Sequence, residues 1–365
     1  MSISYVNLQA QWAHEKDDLL PIIEQVLASG QYIGGSTVET FEQSAAEFCG
    51  VRHCVALNSG TDALVCGLAA MGIRPGDEVI TPPNSFVAST AAITHLGAKP
   101  VFVDVLPDQN IDPTKIAAAI TAKTKAIMPV HLTGRMARMD QIKSIADAHK
   151  LLIIEDAAQA IGSMYDKIPS GKWGRIGCFS THPLKNLNAC GDGGFLVTDD
   201  DDIAQKIRVM RNHGLIDRNT VQRFGYVTRM DAVQAAILTY RLANLNNVTQ
   251  KRRANAAQYR QTLNRNGVFI PDEISSEFNT YHTFVIQVDN RDGLRQFLMD
   301  AGVETSIHYP VPIHLQPAAR SLGHAKGDFP ETERQAERIL TLPVNQYLSS
   351  AEIEKVANLV NKFYG

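Results

Sequence analysis

A chain of 365 residues is long enough to bury two hydrophobic cores, so two domains are expected. Apolar residues make up 44% and charged residues 20%, the balance of a globular protein rather than a disordered or fibrous one. The formal net charge of −3 gives no electrostatic basis for a nucleic-acid or membrane-surface partner.

In chain order, the opening stretch MSISYVNLQAQWAHEKDD has neither a basic nor an apolar region, so no secretory signal is expected. A helix is predicted near 15–29, able to pack on either domain. Seven short β-branched runs follow: CVALN (54–58), DEVITP (77–82), KPVFVDV (99–105), KAIMPV (125–130), LLIIED (151–156), GCFST (177–181) and GFLVTD (194–199). Each reads as a buried strand. Helical patterns fall between several of them, at 61–71, 86–96, 113–121 and 138–149. This alternation predicts an α/β fold with a seven-stranded, mainly parallel sheet and helices on both faces. A long helical zone comes next, at about 230–265. A second α/β pattern then appears: YHTFVIQV (281–288), a helix at 291–301 and VETSIHY (303–309). We divide the chain into a large domain, 1–245, and a smaller C-terminal α/β domain, 246–365. No apolar run approaches the ~20 residues that a bilayer span needs. Five cysteines without a C-x-x-C pair favour reduced thiols in a cytoplasm over disulfides or zinc. Of these, Cys49, Cys54 and Cys66 are expected to pack as small apolar residues.

Ligands of open parallel sheets collect beyond the carboxyl ends of the strands, so those ends are where chemistry is sought. The first strand runs into NSGTDAL, where Ser59, Gly60 and Thr61 open a helix. Free backbone N–H groups and the helix dipole suit a phosphate there, although Ser59 fits a simple N-cap as well. No G-x-x-x-x-G-K-[ST] or G-x-G-x-x-G occurs in this part, which argues against nucleoside triphosphates and dinucleotides. The fifth strand ends at Asp156, with Gln159 three residues on. A buried carboxylate needs a cation or donors. No H-E-x-x-H or clustered Cys/His supports a metal, and a protonated heterocycle nitrogen serves equally well. In THPLKNLNACGDGG (181–194), Lys185 stands in a segment too broken by Pro and Gly to be a helix. Phe86 follows the second strand, where an aromatic ring can cover a flat cofactor, and Ser180 ends the sixth. A phosphate cradle, a carboxylate for a ring nitrogen and an imine-forming lysine are together the needs of pyridoxal 5′-phosphate.

These residues, with YIGGSTVETFE, PGDEVITPPNSFVAS, GAKPVFVDV, RNHG, RMDAVQAAIL, IHYPVPIHLQPA and LTLPV, resemble the DegT/DnrJ/EryC1/StrS family nearly end to end. That family comprises pyridoxal-phosphate aminotransferases acting on nucleotide-linked keto sugars. The resemblance implies a fold-type-I aminotransferase, a homodimer with active sites at the subunit interface. It makes Lys185 the Schiff-base lysine, pairs Asp156 with the pyridine nitrogen and sets Gln159 against the ring hydroxyl. Phe86 stacks on the ring, and Gly60, Thr61 and Ser180 hold the phosphate. An amino-acid donor, commonly glutamate, leaves the cofactor as pyridoxamine 5′-phosphate, which then aminates the sugar ketone. Family members that are sugar 3-dehydrases carry histidine at the lysine position, so Lys185 favours amino transfer.

For the sugar, the resemblance points to His308, Tyr309 and His314, in a segment similar to those of enzymes that aminate a keto group at C3 rather than C4. Local packing around Pro310 and Pro312 is the competing reading. The stretch FGYVTRMD (224–231) departs from the family's G-x-N-x-R: Val227 stands where an Asn is usual, while Tyr226 and Arg229 can serve a partner's substrate site. No arginine stands out as a clamp for the donor carboxylate. Two other functions share this apparatus: a catalytically silent regulatory or binding protein, and a pyridoxal lyase acting on an amino acid.

Overall fold

The computed structural model describes residues 2–365. The seven predicted runs form one sheet: β1 His53–Leu57, β2 Glu78–Thr81, β3 Lys99–Phe102, β4 Thr124–Ile127, β5 Leu152–Asp156, β6 Ile176–Ser180 and β7 Gly194–Thr198. Their order is β1-β7-β6-β5-β4-β2-β3. Only β7 runs antiparallel to its neighbours, β1 and β6; the other pairings are parallel. β2 and β7 are buried along their whole length, as strands covered on both faces must be. The strands β3 and β4 stop short of the expected 105 and 130.

Twelve helices accompany the strands among the described residues: α1 Leu8–Ser29, α2 Ser36–Cys49, α3 Gly60–Ala70, α4 Val87–His95, α5 Pro113–Ala119, α6 Met139–His149, α7 Asp201–Met210, α8 Ala232–Ala243, α9 Leu245–Thr262, α10 Arg291–Asp300, α11 Pro330–Arg338 and α12 Ser350–Tyr364. Four of them, α2, α7, α11 and α12, were not singled out in the sequence. The zone 230–265 is two helices that break at Asn244. None is long and apolar enough to cross a membrane.

One face of the sheet packs Leu57, Leu64, Ile93 and Ile154 against α3, α4 and α7. The other packs Phe41, Phe179, Phe195 and Leu238 between the sheet and α2 and α8. Cys49, Cys54, Cys66 and Cys178 are buried thiols within these layers, whereas Cys190 is exposed. A separate core collects Tyr259, Phe284, Ile286, Leu298, Leu340 and Val356 around a three-stranded sheet of Val268–Phe269, Phe284–Val288 and Ile339–Leu342. Helix α9 starts against one core, through Leu245, and ends in the other, through Tyr259.

The chain begins on the C-terminal unit, where Ile3 pairs with Val303, and α1 then crosses onto the large sheet. There Glu15 meets Arg241 at 2.7 Å, and Gln11 exchanges hydrogen bonds with Asn188 at 2.9 Å. A second tie crosses at the far edge. Asp104, just past β3, accepts the N–H groups of Glu331 and Thr332 and the Thr332 hydroxyl, at 2.8–3.1 Å, and so caps α11. Burial pushes the Asp104 carboxyl up, but these bonds outweigh it and hold the group below the usual carboxylate range.

Because β7 is antiparallel, its first residue, Gly194, lies beside the last residues of β1 and β6, Leu57 and Ser180. A Cβ on Gly194 would collide with the Ser59 carbonyl and the Gly60 nitrogen, so only glycine lets these backbones meet. Gly194→Ala is therefore expected to destabilise the fold by about 1–3 kcal/mol, measured as a lowered denaturant midpoint. An unchanged midpoint would show that the turn can move aside.

Candidate active site

The turn after β1 is built as a cradle. Ser59 caps α3 by accepting the Asp62 N–H at 3.1 Å, as the N-cap reading expected. The N–H groups of Gly60 and Thr61, the first two residues of α3, have no carbonyl one turn earlier to bond. Ser180 closes over Gly60: a Cβ there would approach the Ser180 Cβ to 2.7 Å. Behind the turn, the Thr228 hydroxyl sits 2.8 Å from Asn58 Oδ1 and 2.7 Å from Asp62 Oδ2. The structure thus brings Gly60, Thr61 and Ser180 together at one helix N-terminus, with oriented donors and little room for side chains.

Two successive carboxylates end β5 and point to opposite sides. Glu155 is fully buried and accepts four donors: the N–H groups of Gly171, Trp173 and Gly174 at 2.7–2.8 Å and His131 Nε2 at 2.9 Å. His131 Nδ1 accepts the Ala137 N–H at 3.2 Å, which fixes the tautomer with its proton on Nε2. Asp156 is supported more sparsely. Its Oδ2 accepts the Ser89 hydroxyl at 2.6 Å and its Oδ1 the Ala158 N–H at 3.2 Å. Burial pushes the Asp156 carboxyl up, opposed by those two bonds and by the Lys185 charge. It is an anion in want of a nearby cation. Gln159, one turn on, accepts the Thr133 N–H at 2.8 Å and donates to the Tyr309 hydroxyl at 3.3 Å.

Lys185 stands in a loop that bonds chiefly to itself. Its N–H reaches the His182 carbonyl at 2.8 Å, Ala189 N–H reaches Thr181 at 2.7 Å, and Asn188 Nδ2 reaches Pro183 at 2.9 Å. Asn188 is also the residue that α1 grips through Gln11, so the leading helix braces the lysine loop. The amine is partly buried, and burial pulls its pKa down to about 8 against the opposing pull of Asp156.

From the C-terminal unit, Tyr309 reaches both sides of this group. Its ring lies 5.9 Å from that of Phe86, centroid to centroid, and its hydroxyl meets Gln159. Phe86 itself is 56% exposed at the start of α4, its ring open to the cleft. His308 bonds Thr341 Oγ1 at 2.9 Å, and burial, with the Lys185 charge adding, pulls its pKa down to about 4. His308 is therefore neutral at pH 7.

The other candidates lie apart. His314 is buried, bonded to Glu333 at 3.0 Å and packed on Phe329 at 4.7 Å, and it does not join the cleft residues. This is the local-packing alternative. Arg229 donates to Asn212 at 2.9 Å, and Val227 pairs with the same residue. Tyr226 is exposed, and neither Tyr226 nor Arg229 bonds to Asp156, Gln159 or Lys185 within the chain. Three contributors went unread in the sequence: Ser89, Thr133 and the His131–Glu155 pair. Ser89 had a signal, since it ends the NSFVAS stretch one helical turn after Phe86.

These residues fit pyridoxal phosphate on chemical grounds. The glycine-bounded cradle offers N–H and hydroxyl donors for a phosphate, Asp156 is a buried anion suited to a ring N–H, and Lys185 is an amine made easier to deprotonate. Comparison with known proteins agrees. The sequence profile of the DegT/DnrJ/EryC1/StrS aminotransferase family matches residues 14–361. A pleiotropic regulatory protein of Geobacillus stearothermophilus is 39% identical over 368 residues, covering 100% of this chain and 99% of its own. The UDP-2-acetamido-2-deoxy-3-oxo-D-glucuronate aminotransferase of Pseudomonas aeruginosa is 38% identical over 96% of this chain and 98% of its own. The crystal structure of Streptomyces venezuelae DesV in complex with a ketimine intermediate matches at a TM-score of 0.97 and 37% identity, over 100% of this chain and 98% of that one. Solved relatives hold pyridoxal or pyridoxamine phosphate. Matched along nearly its whole length and carrying a cleft that fits the cofactor, the chain belongs to the DegT/DnrJ/EryC1/StrS aminotransferase family and is a pyridoxal-phosphate-dependent aminotransferase.

Proposed function

We propose that the enzyme moves an amino group from an amino acid, L-glutamate, to the C3 keto group of a nucleotide-linked sugar, for amino-sugar synthesis in the cytoplasm. The observation that carries this reading is the meeting of Lys185, Asp156 and Gln159 with His308 and Tyr309 of the C-terminal unit in one cleft. The relatives that aminate 3-keto nucleotide sugars support the acceptor class.

Bound pyridoxal phosphate supplies an aldehyde for amine exchange and a ring that takes up electrons when a proton leaves the substrate Cα. The chain's own residues do the rest. Gly60, Thr61 and Ser180 anchor the phosphate, and Phe86 covers the ring. Gln159 faces the ring hydroxyl from a position fixed by Thr133. Asp156 keeps the ring nitrogen protonated by its charge. Lys185 Nζ, neutral in a useful fraction near pH 8, takes the Cα proton and returns it on the cofactor side. His308, neutral and tied to Thr341, offers hydrogen bonds rather than charge to a sugar, beside Tyr309.

A second copy of the chain completes the site in this reading. Phe224 is 99% exposed, and Ile216, Val221, Tyr226 and Val227 stand exposed on the same loop, with Tyr32 and Ile33 beside its end at Asp231. Such an apolar patch suits a homodimer interface. The name of the Geobacillus relative favours a second reading, a regulatory protein that binds the cofactor without turnover.

Glutamate with a panel of nucleotide-linked 3-keto and 4-keto sugars separates the readings. Release of 2-oxoglutarate beyond one equivalent per active site is expected only with a 3-keto acceptor, and Lys185→Ala is expected to abolish that turnover. A cofactor spectrum with no transfer to any acceptor would favour the regulatory reading. Release of a carbon fragment from the amino acid alone would favour a lyase.

The Lys185 amine also leaves a mark on stability. Its pKa is about 8 in the fold against 10.5 for a free side chain. Between those values the unfolded chain holds a proton that the folded chain lacks, so stability of the cofactor-free protein rises with pH across that window. Lys185→Met is expected to lose that share of the rise, read from denaturant midpoints between pH 7 and 10. Parallel profiles would remove the buried-amine account.

Val227 marks the departure from the family pattern. If its loop crosses to the partner's cofactor, Val227→Asn adds an amide donor to a phosphate oxygen. Such a bond tightens cofactor binding roughly tenfold or more, measured by titrating apo-protein with pyridoxal phosphate. Equal affinities would place the loop elsewhere.

A further inference from the structure

Ser89 lies in the first turn of α4, three residues past Phe86, and is 1% exposed. Its Oγ is 2.6 Å from Asp156 Oδ2 and 3.3 Å from the Phe86 carbonyl oxygen. A serine has one proton to give, and the shorter contact to a charged acceptor takes it. Asp156 has one other hydrogen-bond donor among the described residues, the Ala158 N–H on Oδ1. The remaining stabiliser of its charge is Lys185. Lys185 is not constant, because its amine titrates near pH 8 and is the group that reacts. His131 directs its Nε2 proton to Glu155 instead. The Ser89 hydroxyl and the Ala158 N–H are thus the donors that persist through any change in the charge on Lys185.

We propose that Ser89 is a positioning residue for the reaction: its hydroxyl holds Asp156 ionised and fixed in orientation, so that the carboxylate meets the cofactor's ring nitrogen as an anion whether or not Lys185 is charged. The inference rests on the assignment of Asp156 to that nitrogen. Ser89 and Phe86 share one turn, so the same bond ties the ring that covers the cofactor to the carboxylate at its edge. Without the hydroxyl, Oδ2 would be a buried acceptor lacking its donor, and the balance would move toward the protonated carboxyl.

The test compares wild type, Ser89→Ala, Ser89→Thr and Asp156→Asn, each checked for folding by circular dichroism. Two readouts need no turnover: equilibrium binding of pyridoxal phosphate to apo-protein, and the pH titration of the bound cofactor's visible absorption. Ser89→Ala is expected to weaken binding roughly ten- to a hundredfold and to displace the spectral titration. Ser89→Thr, which keeps the hydroxyl, is expected to restore both. Ser89→Cys, a similar shape with a weak donor, carries the same expectation as Ser89→Ala should the alanine variant fail to fold. Wild-type affinity and titration in Ser89→Ala, or failure of Ser89→Thr to restore them, would overturn the inference. Unchanged binding and spectrum in Asp156→Asn would instead bring down the nitrogen assignment, and the role of Ser89 with it.

Discussion

A carboxylate at the tip of a buried strand is the constraint around which this molecule is arranged. Moving Asp156 out of water costs several kcal/mol unless donors and cations replace the lost hydration. The chain supplies two hydrogen bonds and an amine across the cleft, and leaves the carboxylate short of a close cation. That deficit makes a protonated heterocycle a good ligand. The same burial raises Asp156 and lowers Lys185, so one dry cleft favours the neutral amine and leaves the ionised carboxylate dependent on its donors and on a ring N–H.

The neighbouring Glu155 shows what a carboxylate looks like when it is purely structural. Successive residues of a strand face opposite sides of the sheet. Glu155 therefore looks into a ring of three N–H groups and His131, each within 2.9 Å, and has little left to offer a ligand. Its role is to hold the 171–174 turn under the sheet. One residue further, on the open side, the same chemical group has half the donors.

The site is also a junction. The lysine loop is braced by α1 through Asn188, and the cleft is covered by Tyr309 from the C-terminal unit. Asp104 pins α11 at the sheet edge and keeps the two units in register there. Carboxylate, lysine and the covering Tyr309 therefore come from separate parts of the chain, held together by polar contacts.

Much of this was legible beforehand. Buried parallel strands are short continuous apolar runs, so their positions are written locally, and Lys185, an ordinary loop lysine on its own, drew meaning only from its combination with the cradle and Asp156. Ser59–Thr61 and Asp156 followed from the rule that strand ends bind ligands. Helix α12 carries a local signal too, the Ser349–Glu352 capping box. What sequence could not decide was partnership. His308 and His314 occupy one segment, yet Thr341 keeps the first at the cleft while Glu333 and Phe329 bury the second. Ser89 ends the NSFVAS stretch, but its partner lies 67 positions away and is set by the fold. The sequence by itself determined the elements and the chemical inventory, because periodicity and turn chemistry act over a few residues. Only the tertiary structure decided which polar group is satisfied and which is left wanting, because hydrogen bonds and desolvation depend on what the whole fold packs alongside.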